Sequence, residues 1–274
     1  RKGSVRVKNK NVRPFCNKNI LIYKIKQLRR ISQIEEVIVN SDCEYMLKLA
    51  SKYGATPLKR DDYYASSGVP INEVWKNIAE NTNTDTILYA NATSPLVEDK
   101  SFIDSIQMYH TLGLSKEQRS LNSVTTVKEF LWMNGSTVNY DQDRQPKSQD
   151  LPLVFHPNFA INIISRELMI KDSTIISKDF KPYFLGKIES IDIDDEEDFL
   201  MAELLYKIRK ENIMTILFLK GSFEDEGLRD FEAKILSAMA AERGVPLAFK
   251  IGGCEAKTDI ETSLNYGAHC IVAP

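Results

Sequence analysis

The sequence predicts an α/β fold, a layered sheet with helices packed against it. The first observation is alternation. Short β-branched runs such as Glu36–Asn40 and Thr86–Ala90 are each followed by residues with apolar positions at helical spacing, Glu44–Lys52 and Lys100–His110. Strands that alternate with helices bury their faces as stacked layers. The second observation is that charge is segregated. Residues 1 to 34 hold eleven Lys or Arg and no Asp or Glu, while carboxylates dominate Asp192–Asp198.

Each element has its own warrant. Ile20, Leu21, Tyr23, Ile25 and Leu28 mark a helix, with Lys24, Lys26, Arg29 and Arg30 expected mostly outward. Ile71–Asn81 is a helix with Pro70 at its start. Val124–Val127 is a short strand, and residues 134 to 157 form a loop-rich stretch punctuated by Gly135, Pro146, Pro152 and Pro157. Phe159–Ile164 is a strand, followed by a short helical segment at Arg166–Ile170. In an open sheet of this kind ligands sit beyond the carboxyl ends of the strands, where Ser41 and Asn91 fall. Trp75 and Trp132 are expected as core or dimer-contact residues.

Composition narrows the class. At 274 residues the length suits about two domains, and 43% hydrophobic residues support a buried core. No apolar run approaches the roughly 18 residues that span a bilayer, so no membrane association is expected. The four cysteines, Cys16, Cys43, Cys254 and Cys270, have no paired spacing and are expected as buried free thiols of a reducing cytoplasm. His110, His156 and His269 lack zinc-ligand spacing. A net charge of −2 disfavours nucleic acid as a partner despite the basic start.

Two segments carry chemistry. In Ser190–Asp194, Ile191 and Ile193 alternate with Asp192 and Asp194, which predicts a short strand with both carboxylates on one face. Burying such a pair costs roughly several kcal/mol unless a cation neutralises it. Mg²⁺ suits the position, being held by one or two carboxylates plus substrate phosphates. The alternative is a plain helix start, because the macrodipole favours acids in a first turn. That accounts for Asp195, Glu196 and Glu197 and leaves Asp192 and Asp194, which precede the helix. At the other end, the basic opening from Arg1 to Asn11 includes Gly3 and Ser4, a composition that can wrap a polyphosphate. The alternatives there are a solvated basic face or a nucleic-acid patch.

These residues bring out a family resemblance. The chain resembles the acylneuraminate cytidylyltransferase (CMP-sialic acid synthetase) family, whose members open with a strand and then Ala-Arg-x-Gly-Ser-Lys-Gly-x-Pro-x-Lys-Asn. Arg1, Gly3, Ser4, Lys10 and Asn11 match. So do Val37–Asp42 with Lys52-Tyr53-Gly54-Ala55, Arg60 with Ala65-Ser66, and Asn91–Leu96 against Gln-Pro-Thr-Ser-Pro-Leu. Gln149, Leu151-Pro152, Asn158 and Ala160 resemble Arg-Gln-x-Leu-Pro and Asn-Gly-Ala-Ile-Tyr, and Asp192 and Asp194 match the Ile-Asp-Ile-Asp that binds Mg²⁺.

The resemblance implies a layered Rossmann-like nucleotidyltransferase domain over 1–212. It also implies a homodimer that uses CTP and an acidic sugar for cell-surface polysaccharide. Arg1 and Lys10 would be catalytic; Arg1, Ser4, Lys10, Asn11, Arg60, Ser66 and Asn91 would bind nucleotide. Gln149, His156 and Asn158 would bind the sugar, and Asp192 and Asp194 the metal. The competing reading is a non-catalytic nucleotide-sugar binding or scaffold module. Departures from the pattern are Val5 for Lys, Lys8 for Pro, Asn91 for Gln, Ser148 and His156 for Arg, Phe159 for Gly and Asn162 for Tyr. Several of these lie where the family places its acceptor sugar, which points to a sugar acid other than sialic acid.

Both ends resemble cut ends. The family's first strand would precede Arg1. Residues 213–274 resemble part of the aldolase/citrate-lyase barrel family through Lys250–Lys257 and Gly267–Pro274. Met214–Leu219, Leu247–Ile251 and Cys270–Ala273 are expected as strands, Leu228–Arg243 and Glu255–Tyr266 as helices. A (β/α)₈ barrel needs about 200 residues or more, so the segment is an incomplete barrel. No catalytic role is assigned to Lys250 or Glu255.

Overall fold

A computed structural model describes residues 6–210, 219–222, 233–234, 237–238, 241, 247–250, 257–268 and 270–272. The chain divides into two compact units, Arg1–Leu205 and Tyr206–Pro274.

In the first unit the basic segment leads into α1 (Ile20–Arg29), capped by the Asn19 side chain, which accepts from the Ile22 N–H. β1 (Ile38–Ser41) pairs in parallel with β2 (Thr56–Lys59) across α2 (Glu44–Lys52). Leu21, Ile22 and Ile25 of α1 pack on Met46, Leu49 and Ala50 of α2. Gly54 follows α2 at φ +79, a left-handed conformation that glycine adopts without strain.

Then follow α3 (Asp62–Ala65), α4 (Ile71–Glu80), β3 (Thr86–Tyr89) and α5 (Asp99–Thr111). β4 (Leu121–Val127) comes next, then a small hairpin of β5 (Trp132–Met133) and β6 (Ser136–Thr137). β7 (Val154–Ser165), α6 (Arg166–Asp172), β8 (Lys181–Phe184) and α7 (Glu196–Lys210) complete the series. The main sheet has the order β3-β7-β4-β8, with β7 antiparallel to both neighbours and β8 parallel to β4. Its core joins Leu121, Ala160, Ile161 and Ile163 to Phe102, Ile106 and Tyr109 of α5.

The layered α/β expectation holds, with differences of detail. Among the described residues β1-β2 and the four-stranded sheet are separate, so β1 and β3 are both edge strands. The loop-rich stretch begins inside the β5-β6 hairpin, and the strand expected from Phe159 begins at Val154. Trp75 packs at the rim of the Val74–Ile164 cluster, whereas Trp132 is 53% exposed. Cys16 and Cys43 are half-buried rather than buried, and Cys16 Sγ lies 3.8 Å from Glu203 O. Lys24 reverses its expected direction: it is buried on α1.

β4 and β7 fall out of step between Asn122/Asn162 and Val124/Pro157, which throws a bulge out of β7. Phe159 sits in that bulge at φ +57, a left-handed conformation that disfavours a bulky side chain. Asn158 fixes the bulge. Its Oδ1 accepts from the Ser123 hydroxyl and the Ala160 N–H, and its Nδ2 donates to Thr125 Oγ1 at 2.9 Å. Asn162 ties three strands together: its Nδ2 donates to Tyr89 O and its Oδ1 accepts from Asn122.

In the second unit β9 (Leu219–Ser222), β10 (Leu247–Lys250) and β11 (Cys270–Val272) form a parallel sheet in the order β11-β10-β9. The helix Lys257–Asn265 lies between β10 and β11 in the chain. The expected helix Leu228–Arg243 falls mostly outside the described residues, and Glu255 falls wholly outside them. Among the described residues no helix is long and apolar enough to cross a membrane.

Candidate active site

The two charged segments, far apart in sequence, meet in space. Residues 6–13 run as successive turns, in which Val12 and Arg13 donate backbone N–H groups to Asn9 O at 2.9 and 2.8 Å. Val7 and Phe15 are fully buried and anchor this segment. Phe15 meets Phe199 of α7 edge to face at 5.5 Å. From that anchor three cations reach the acidic turn. Arg6 Nη2 lies 2.7 Å from Asp194 Oδ1. Lys10 Nζ donates to Ile193 O and is 3.9 Å from Asp194 Oδ1. Arg13 grips both oxygens of Glu196 at 2.7 and 2.6 Å, with its guanidinium 4.4 Å from the Phe199 ring centre.

The acidic turn is not the strand its alternation predicts. Residues 191–194 belong to no strand and pair in no ladder. Single bonds fix them instead: Ile193 N donates to Thr93 O at 2.9 Å, and Asp194 N to Asp198 Oδ2 at 2.9 Å. Ile193 is fully buried, whereas Ile191 and both aspartates are half-buried. α7 starts with a reciprocal cap, in which Asp198 N donates to Asp195 Oδ1 and Asp195 N donates to Asp198 Oδ2. Glu189 takes the Glu98 N–H and the Ser101 hydroxyl, securing the turn to the start of α5.

Asp192 is the electrostatic focus. Burial pushes its carboxyl above the usual carboxylate range, hydrogen bonding to Thr93 opposes this, the Asp194 charge adds to it, and Lys10 and Ser94 oppose it. An oxygen-only pair, partly withdrawn from water and mutually repelling, fits a hard divalent cation. Among the described residues no group of three or more His, Cys, Asp or Glu forms a ligand cluster. Asp192 and Asp194 are the residues here that could hold such a cation.

The other expected site residues are dispersed. Arg1 and Ser4 lie outside the described residues. Asn11 Oδ1 is buried without a hydrogen-bond partner among the described residues. Arg60, just past β2, donates Nε to Asn40 Oδ1 at 2.6 Å and Nη2 to Asn40 O, drawing the ends of β1 and β2 together. Its charge also acts on the buried Tyr89 hydroxyl at the end of β3. Asn91 follows β3 and accepts the Ser94 N–H, in the same loop that holds Ile193. Ser66 is exposed at the end of α3, and Gln149 is exposed in a 3₁₀ turn, Ser148–Asp150. His156 is exposed on β7, with Nδ1 near Pro157 O. Asn158 is spent on the bulge. Among the described residues none of Ser66, Gln149, His156 and Asn158 bonds to the basic segment or the acidic turn.

Sequence reasoning missed Arg6 and Arg13. Their signal was present in the basic run, but spacing alone did not rank one cation above another.

Residues 1–218 match the cytidylyltransferase family. The chain belongs to that family and is a nucleotidyltransferase enzyme. It is 25% identical over 225 residues to the pseudaminic acid cytidylyltransferase of Campylobacter jejuni, covering 77% of this chain and 95% of that one. It is 25% identical over 211 residues to the N-acylneuraminate cytidylyltransferase of Escherichia coli, covering 74% of this chain and about half (49%) of the relative. Among solved structures, CMP:2-keto-3-deoxy-manno-octonic acid synthetase complexed with CTP superposes with a TM-score of 0.56 at 9% identity. That match covers 76% of this chain and 95% of the other, a likeness of fold. The family match ends at residue 218 and leaves the aldolase-like segment without support.

Proposed function

We propose that this enzyme transfers CMP from CTP to the anomeric hydroxyl of an acidic keto-sugar of the nonulosonic type, with release of pyrophosphate. The observation that carries the reading is the junction of Lys10 with Ile193 and Asp194, which joins a phosphate-gripping cation to a carboxylate pair. Relatives named for N-acylneuraminate and pseudaminic acid support the substrate class.

The sugar hydroxyl oxygen forms a bond to the α-phosphorus as the bond to the β-phosphate oxygen breaks in line. Pyrophosphate leaves, and the hydroxyl proton passes to solvent. Such transfers need positioning and charge neutralisation more than covalent help. Lys10, a half-buried cation, offsets charge on the leaving pyrophosphate. Arg6, mostly exposed, gives up its surface pair with Asp194 at little cost and turns to phosphate. Arg1, Ser4 and Asn11 continue the cradle, while Arg60, Ser66 and Asn91 help place the nucleotide. Asp192 and Asp194 would hold Mg²⁺, which supplies charge neutralisation at the triphosphate.

Gln149, His156 and Asn158 belong to the acceptor side, Asn158 by shaping the bulge that carries Phe159. Arg144 and Lys147, both exposed, lie close in sequence to Ser148, one of the positions that lack an Arg. The exposed apolar residues Trp132, Met133, Val138 and Leu153 at and after the hairpin support a homodimer contact, and a cytoplasmic location follows from CTP as substrate.

The test is pyrophosphate release with CTP, UTP, ATP and GTP against a panel of sugar acids, with and without Mg²⁺. CTP- and metal-dependent release is expected. Binding of CTP without turnover on any sugar acid would leave only a binding module.

A further inference from the structure

Lys24 is the one residue of α1 whose charge runs against the expected pattern. It is 5% exposed. Its Nζ donates to Ser94 O at 3.0 Å and Gln27 Oε1 at 3.1 Å, and lies 4.9 Å from the Phe102 ring centre. One turn on, Gln27 Nε2 donates to Val97 O at 2.7 Å and Asp99 Oδ1 at 2.9 Å. Arg30, a further turn along, pairs with Asp99. Three residues spaced at i, i+3 and i+6 thus hold the loop from Ser94 to Asp99 on one stripe of the helix.

An apolar side chain would fill the same space without desolvating an ammonium, so packing alone does not account for a lysine here. What it holds does. Ser94 Oγ donates to Asp192 Oδ1 at 3.4 Å, and the neighbouring Thr93 O takes the Ile193 N–H. Ile193 O in turn takes the Lys10 ammonium. The loop that Lys24 grips from below is therefore the loop that holds the acidic turn from above.

We propose that Lys24 is a positioning residue for the transfer reaction: through the Ser94 carbonyl it fixes the loop that sets Asp192 and Ile193 opposite Lys10. It touches no reacting atom, and its effect falls on the geometry of the carboxylate pair. The proposal rests on the function given above.

The experiment compares full-length wild type with Lys24→Met in two readouts. One is binding of Mn²⁺ in the presence of a non-hydrolysable CTP analogue, followed by electron paramagnetic resonance. The other is the Mg²⁺ concentration for half-maximal pyrophosphate release at saturating CTP. Lys24→Met is expected to weaken Mn²⁺ binding and raise the half-maximal Mg²⁺ about tenfold or more, while the melting temperature stays level or rises. A purely structural role would lower the melting temperature and leave metal affinity in place. Should Lys24→Met not fold, Lys24→Gln, whose N–H sits on a chain one atom shorter, carries the comparison with an intermediate loss expected. Unchanged Mn²⁺ binding and half-maximal Mg²⁺ in either folded variant overturns the proposal. Absence of pyrophosphate release by wild type overturns the proposed function instead.

Discussion

Lys10 donates its ammonium to the carbonyl of Ile193, a residue 183 positions along the chain that lies between Asp192 and Asp194. That bond places a cation against the backbone between two carboxylates, and the chemistry assigned to the enzyme converges there.

Lys10→Met is expected to lower turnover by roughly two to three orders of magnitude, the scale on which one preorganised group facing developing charge counts. Among the described residues the side chain bonds only to the acidic turn, so the fold is expected to persist. Pyrophosphate-release rates and far-ultraviolet circular dichroism check the two halves. Turnover within a few-fold of wild type would remove Lys10 from the mechanism.

Asp192→Asn and Asp194→Asn are expected to lower turnover by orders of magnitude while leaving the fold intact. Asp192 is the more telling of the two. Burial raises its carboxyl, so a neutral amide of the same shape removes a desolvation cost, and the melting temperature should hold or rise. A variant that keeps full activity at limiting Mg²⁺ contradicts the metal assignment.

Some of this was legible in the sequence and some was not. α2 appears at its expected bounds, Glu44–Lys52, because Met46, Leu47, Leu49 and Ala50 give it one clean apolar stripe. β2 and β8 escaped notice because each carries a proline, Pro57 and Pro182, and little buried surface. Both are edge strands, where a missing N–H is tolerated. The alternation at Ile191–Asp194 misled, because single bonds to Thr93 and Asp198 hold this segment in place of a ladder. Lys24 was misplaced because periodicity counts apolar side chains only. A lysine on the inner stripe whose tip reaches loop carbonyls is invisible to it.

Stability should carry the signature of Lys24. Burial depresses its ammonium to about 7 from 10.5, partly opposed by Asp99 and reinforced by Arg30. Between those values the unfolded chain binds a proton that the folded chain lacks. Stability therefore rises with pH across that window, by at most about 1.4 kcal/mol per pH unit, and the contribution is flat below it. Urea unfolding of wild type and Lys24→Met between pH 7 and 9.5 should show the difference growing in favour of wild type. Parallel curves would mean that Lys24 does not titrate there.

Phe159→Gly is expected to leave stability nearly unchanged. A non-glycine residue in the left-handed region costs about 1–2 kcal/mol, and glycine returns roughly 0.5–1 kcal/mol of that as chain entropy lost on folding. The residue is 38% exposed, so the burial of more than half of it is forfeited, roughly 1 kcal/mol, which offsets the relief of strain. A melting temperature raised by several degrees would show that the strain outweighs the ring's contacts.

The same bulge bears on the sugar. Ser148, His156 and Phe159 stand where the resemblance places two Arg and a Gly near the acceptor, and an Arg grips a sugar carboxylate with two parallel hydrogen bonds. Losing such a charged contact weakens binding by roughly 1.5–3 kcal/mol, about ten- to a hundredfold. Phe159 also adds an exposed ring where a glycine would leave open space. N-Acetylneuraminate is therefore expected to be a poor substrate, and another acidic keto-sugar a better one, measured as kcat/KM across nonulosonic and octulosonic acids. The opposing possibility is specific: Arg144 and Lys147 are exposed beside Ser148, and either one swinging inward would restore the grip. Arg144→Ala and Lys147→Ala separate the cases, since a restored grip would make one of them essential for N-acetylneuraminate. If N-acetylneuraminate proves the best substrate and both alanine variants match wild type, the substitutions on this face do not select the sugar.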